Sequence, residues 1–206
     1  MKTKISTLLI LCIAFFFTAC QVAEQEDFVY ESKEYNGAEY LANYRTPSAM
    51  FLVAITNTET DKRNGFIIDN QGNLKKLESI SFAATPENAT IHPGSLENMI
   101  NHGETVRQID LDELVGQFKK IRLAARARTL SGEADLSAAF NYEFYGYTLG
   151  VPGYSGGNAG CQGPPSSSEY FSQFLLKSEG QEASFLNSGN ATEIVDWLKG
   201  LNESVK

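Results

Sequence analysis

The chain has 206 residues and carries 25 acidic against 17 basic side chains, for a formal charge of −8. That length fits one domain with enough chain for a real core. An acid surplus argues against nucleic acid and anionic lipid as general partners, because phosphate binding needs Lys and Arg.

The first twenty residues fall into three parts. Lys2 and Lys4 make a short basic start, Leu8 to Phe17 is an unbroken apolar run, and Thr18-Ala19-Cys20 follows. A charged start, a short apolar middle and a small residue before the cut form the layout of a secretory signal. Ten apolar residues rise only about 15 Å as a helix, half of the roughly 30 Å hydrocarbon core. This segment is therefore not expected to stay as a transmembrane helix.

Phe17-Thr18-Ala19-Cys20 resembles the lipobox of bacterial lipoproteins: an apolar residue, a variable one, a small one, then Cys. Phe17 stands where Leu is commonest, and Phe-rich versions resemble those of Bacteroidetes-type lipoproteins. The resemblance covers residues 1–20 alone. It implies that Cys20 is acylated and becomes the mature N-terminus, anchoring the chain to a membrane. Gln21 stands where an inner-membrane retention signal would have Asp, which implies the outer membrane, on its periplasmic or its surface side. Residues 21–27, Gln-Val-Ala-Glu-Gln-Glu-Asp, also resemble the acidic surface-export tags of such lipoproteins; a plain solvated tether is the alternative. Without residues 1–19 the remaining 187 carry a formal charge of −10. Cys12 leaves with the signal and Cys20 takes lipid, so Cys161 is alone and no internal disulfide is expected.

Residues 20–34 are polar and acidic and read as a tether. Residues 35–206 read as one α+β domain, an antiparallel meander with hairpins packed against about three helices. Gly37 to Arg45 has Tyr40, Leu41 and Tyr44 on roughly one side, fit for a short helix ended by Pro47. Met50 to Thr56 and Gly65 to Asp69 read as strands, joined by polar residues 57–64. Asp69-Asn70-Gln71-Gly72-Asn73 is turn chemistry, and Leu74 to Phe82 reads as a third strand.

Ser95 is expected to cap a short helix ending at Gly103. Asp110 and Glu113 have capping-box spacing, and Leu111, Leu114, Val115, Phe118, Ile121 and Ala125 recur at helical intervals. Acids open this helix and bases close it, as the macrodipole prefers. Phe140 to Leu149 reads as an aromatic strand, with Phe140, Tyr142 and Phe144 on one side and Asn141, Glu143 and Tyr145 on the other. Gly146 to Pro165 holds seven Gly and three Pro and reads as a long loop. Residues 169–187 read as a hairpin turning at Glu179-Gly180. Asn190 and Glu193 are expected to cap a last helix with Ile194, Trp197, Leu198 and Leu201 in one apolar stripe. Strands and helices come in runs, which is the α+β pattern.

Gly153-Tyr154-Ser155-Gly156-Gly157 matches the letters of the α/β-hydrolase nucleophile motif. That motif needs a strand before it, a helix after it and a later His. Here Asn, Gly and Pro follow, and no His comes after residue 102. The same residues resemble the Gly-Asp-Ser-Gly-Gly of chymotrypsin-like proteases, with Tyr154 in place of Asp, but the intervals to His92 or His102 and Asp110 are far too short. Cys161 would need a His to lower its thiol pKa, and only His92 and His102 exist. Those two, ten apart across Pro93 and Gly94, do not have metal-ligand spacing. No metal or cofactor is expected.

Two features point to binding. Lys119, Lys120, Arg122, Arg126 and Arg128 form the main basic patch, with Lys119, Arg122 and Arg126 on one helical face, suited to an anionic partner or a sugar phosphate. Tyr145, Tyr147 and Tyr154, on the aromatic strand and the loop after it, are suited to stacking on sugar rings if exposed and to core packing if not. The expected function is that of a lipid-anchored envelope protein working by binding rather than catalysis, with a glycan or an envelope protein as partner. The alternatives are a small envelope hydrolase using Ser155 or Cys161, and a passive structural lipoprotein.

Overall fold

A computed structural model describes residues 34–80, 90–91, 93–149 and 171–203. The folded unit begins at Tyr35. Its strands are β1 (Ala49–Asn57), β2 (Arg63–Asp69), β3 (Asn73–Leu77), β4 (Thr90–Ile91), β5 (Glu104–Gln108), β6 (Thr129–Ser131), β7 (Phe140–Leu149), β8 (Phe171–Glu179) and β9 (Ser184–Leu186). Its helices are α1 (Gly37–Asn43), α2 (Pro93–His102), α3 (Leu111–Ala124) and α4 (Gly189–Glu203). The fold is α+β, built on one antiparallel sheet in the order β5-β3-β2-β1-β7-β8-β9-β6, with β4 also paired to β8.

The centre of the sheet explains the apolar run in β1. Residues Ala49 to Ala54 are all fully buried, because β1 has β2 on one side, β7 on the other, and helices over both faces. Side chains of β1 and β2 divide between two cores. Val53, Phe66 and Ile68 join Leu114, Phe118, Ile121, Ile194 and Leu198 beneath α3 and α4. Leu52, Ala54 and Ile67 join Leu96 and Met99 of α2 on the opposite face. A register shift between Ala49 and Phe51 puts both Met50 and Phe51 on the α3–α4 side.

Local chemistry sets the connections. In the β2–β3 turn the Asp69 carboxylate accepts from the Gln71 and Asn73 N–H groups at 2.9 and 2.8 Å, while Gly72 takes φ +82°. Asp110 caps α3 through the N–H groups of Asp112 and Glu113. α1 is opened by a reciprocal capping box between Asn36 and Glu39. It docks tightly on α3: a Cβ on Gly37 would lie 2.1 Å from the Leu111 carbonyl oxygen, and the Gly37 N–H donates to the Asp112 carboxylate.

Several boundaries differ from the sequence reading. β3 stops at Leu77, and Ile80 then donates its N–H to the Arg63 carbonyl at 2.9 Å. α2 begins at Pro93, α3 ends at Ala124 and α4 begins at Gly189. The strand β5 was not anticipated, because all five of its side chains are exposed at a sheet edge and carry no apolar alternation. The expected start of the loop at Gly146 is also corrected. β7 runs on through Leu149, and Gly146 lies opposite Phe51 and Phe174. A Cβ there would sit 3.1–3.3 Å from three atoms of Ile121. This glycine lets α3 approach the sheet; it does not turn the chain.

Candidate functional site

Two polar clusters stand out, one inside and one on the surface. The inner one lies on the α2 face of the sheet. Arg63 of β2 pairs with Glu143 of β7, their side chains 12% and 22% exposed. The Tyr145 hydroxyl donates to the other Glu143 oxygen at 2.9 Å, and the Tyr147 hydroxyl donates to the Gln173 side-chain carbonyl at 3.1 Å. Burial raises the Tyr145 pKa far above the usual phenol value, and the Glu143 carboxylate raises it further; Arg63 opposes both. Tyr147 is raised as well, by burial first and then by Tyr145. Both phenols therefore stay protonated and act as hydrogen-bond donors, not as bases.

This placement answers one question from the sequence. Tyr145 and Tyr147 are 1% and 0% exposed. Their rings are packed in the core beneath α2, so neither offers a face on which a sugar could stack. Strand alternation put them on one side of β7, but that side is covered. Tyr154, Ser155, Cys161, Cys20 and His92 lie outside the described residues. His102 closes α2, its Nδ1–H directed at the Asn98 carbonyl oxygen at 2.7 Å. Among the described residues no cluster of three or more His, Cys, Asp and Glu has metal-binding geometry, and no helix is long and apolar enough to cross a membrane.

The outer cluster is built by α1 and the second half of α3. Tyr40 and Tyr44, one helical turn apart, stack with ring centroids 4.6 Å apart, and Tyr35 meets Tyr44 edge-on at 5.7 Å. The Lys119 ammonium sits 4.7 Å from the centre of the Tyr40 ring, a cation–π contact. Tyr44 remains 48% exposed. Lys119 is thus the joint between the aromatic stack and the cations that follow it.

Those cations divide by role. Lys120 is committed to α4, its Nζ 2.6 Å from Glu193. Arg122, Arg126 and Arg128 are exposed, and no ion pair holds them among the described residues. Arg126 lies past the last residue of α3, not on its face. It is kept close by a tightened turn, in which the Arg126 and Ala127 N–H groups reach the carbonyls of Leu123 and Ala124 at 3.4 and 2.9 Å. Lys119 and Arg122 remain on the helix itself. Next to Arg122, Leu123 is 56% exposed.

Sequence reasoning named Lys119, Arg122 and Arg126 but did not bring Tyr40 and Tyr44 together with Lys119. The signal was present as the Tyr40, Leu41 and Tyr44 stripe on a short helix; its docking partner was not. Arg63 was also missed, hidden in a polar stretch read as a turn. No known protein family, curated protein or solved structure matches this chain.

Proposed function

We propose that this chain is a bacterial lipoprotein, held at the outer membrane by acyl chains on Cys20, and that it works as a binding module. The anchor reading rests on the basic start, the ten-residue apolar run and the Phe17-Thr18-Ala19-Cys20 ending. Each buried CH₂ is worth about 0.8 kcal/mol, and two or more chains on one Cys give stable retention where a single chain is marginal.

The binding reading is carried by one observation: the surplus of cations at the end of α3. A helix C-terminus presents roughly half a negative charge, which one cation answers. Lys119, Arg122, Arg126 and Arg128 exceed that several-fold in a protein that is acidic overall. Their mutual repulsion is unfavourable on an otherwise idle surface, and a contact partner with negative charge relieves it.

Two measurements test the two halves. Cells fed labelled palmitate should incorporate label into the protein, and Cys20→Ser should abolish both label and membrane retention; a variant still firmly bound would sink the anchor. The released Cys20→Ser chain should bind isolated envelope fragments, and Arg122→Glu with Arg126→Glu should weaken that binding at least ten-fold. Equal binding by the charge-reversed chain would remove the proposed surface.

A further inference from the structure

The geometry points to a phosphorylated sugar as the ligand of the α1–α3 surface, its phosphate on Arg122 and Arg126 and its ring on Tyr44. This rests on the binding reading above and gives it a chemical class. Three features of the surface carry it.

The first is the kind of cation. Arg122 and Arg126 are guanidinium groups, planar forks that meet two oxygens of a phosphate at once, and they keep their charge at any physiological pH. They are exposed and unpaired among the described residues, while the nearby Lys120 is already neutralised by Glu193. Charge is available where the bidentate donors are and is withdrawn where only an ammonium stands.

The second is the aromatic stack. Tyr40 is occupied, with Lys119 over its ring and Tyr44 stacked against it. Tyr44 is held in turn by the edge of Tyr35, yet 48% of it is open. A ring fixed by two neighbours has little rotamer freedom left to lose when a ligand lands on it, which is the preorganised arrangement that favours binding. The CH face of a pyranose is apolar and flat enough to lie on such a ring.

The third is adjacency. Lys119 touches the aromatic group and sits three residues before Arg122 on the same helix. Tyr44 is thus linked to Arg122 through Tyr40, on which it stacks, and Lys119, which covers Tyr40 one turn before Arg122. A free phosphate would use only the arginines. A neutral sugar would use only the tyrosine. A sugar phosphate engages both.

The test uses the whole mature chain with Cys20→Ser, titrated at low salt with glucose 6-phosphate, glucose and inorganic phosphate and followed by chemical shifts of Tyr and Arg resonances. Glucose 6-phosphate should bind at least ten-fold more tightly than either of the other two. Tyr44→Ala should reduce it to the level of inorganic phosphate, and Arg122→Gln with Arg126→Gln should abolish both. Inorganic phosphate binding as tightly as the sugar phosphate overturns the inference. So does tight binding to vesicles of anionic phosphatidylglycerol that is indifferent to Tyr44→Ala, which would mark a generic anionic surface. Retention on envelope fragments that is lost after protease treatment of those fragments, with no response to sugar phosphate, would make the ligand a protein; the binding function would then stand and its sugar-phosphate chemistry would fall.

Discussion

Removing the Glu143 carboxylate should be among the costliest single changes to this fold. Glu143 holds two groups: the Arg63 guanidinium, only 12% exposed, and the hydroxyl of Tyr145, itself 1% exposed. Glu143→Ala takes from a largely enclosed cation the carboxylate it pairs with. Breaking a buried pair in this way costs about 3–5 kcal/mol, and the 22% exposure of Glu143 places this pair near the lower end. The stranded Tyr145 hydroxyl adds about 1 kcal/mol more. The sum approaches half of a typical stability of roughly 5–15 kcal/mol. Tyr145→Phe is the control. It removes one neutral donor and leaves Glu143 with Arg63, so it should cost only about 1 kcal/mol. Glu143→Gln, which keeps an acceptor for the phenol, should fall between the two. Urea unfolding followed by tryptophan fluorescence reads all three, with midpoints shifting at constant slope. If Glu143→Ala costs less than about 1 kcal/mol, the pair behaves like an exposed surface bridge and the structural weight given to it here is wrong.

Other expectations follow from single residues. Gly116 and Gly200 lie in the interiors of α3 and α4, exposed, and a Cβ at either meets nothing within 4 Å; Gly116→Ala and Gly200→Ala should each stabilise by about 0.8–1 kcal/mol and raise Tm by roughly 2–4 °C. An unchanged or lowered Tm would mean that those surfaces are not free. Burial pushes the Glu179 carboxyl up, but Lys177 and Lys199, each 2.6 Å away, outweigh it and hold its pKa below 4.5. A carboxylate depressed in the folded state contributes stability above its unfolded pKa and loses that contribution as pH falls through the folded value. Acid titration of the urea midpoint should therefore be shallower below pH 4.5 in Glu179→Gln than in the parent chain, and identical slopes would dismiss the contribution.

The elements most legible in the sequence are those whose burial imposes a pattern. β1 declared itself as a continuous apolar run because helices cover both its faces. α3 declared itself through its cap at Asp110 and a core stripe that the structure places against the sheet. The β2–β3 turn was visible because Asp69 and Gly72 each do a job that few residues can. β5 was invisible for the converse reason: an edge strand with five exposed side chains has no burial to write into its sequence. Gly146 misled because a glycine chosen for close packing against Ile121 reads the same as one chosen for a turn.

The candidate site divides along the same line. Lys119, Arg122 and Arg126 could be found because charge density is a local property of the chain. Tyr44 could not be ranked above Tyr145, since alternation along a strand reports which side a residue faces and says nothing about whether that side is covered. In this fold both sides of the central strands are covered, by α2 on one and by α3 and α4 on the other. The tyrosines that alternate most regularly are for that reason the ones least available to a ligand. The ring that remains half open belongs to the turn after a seven-residue helix. Only the docking of α1 on α3, made possible by the missing Cβ of Gly37 and the N–H it gives to Asp112, brings that ring, stacked on Tyr40, toward Lys119. A surface of this kind is made by a tertiary contact between segments 75 residues apart, so its chemistry becomes readable only once that contact is known.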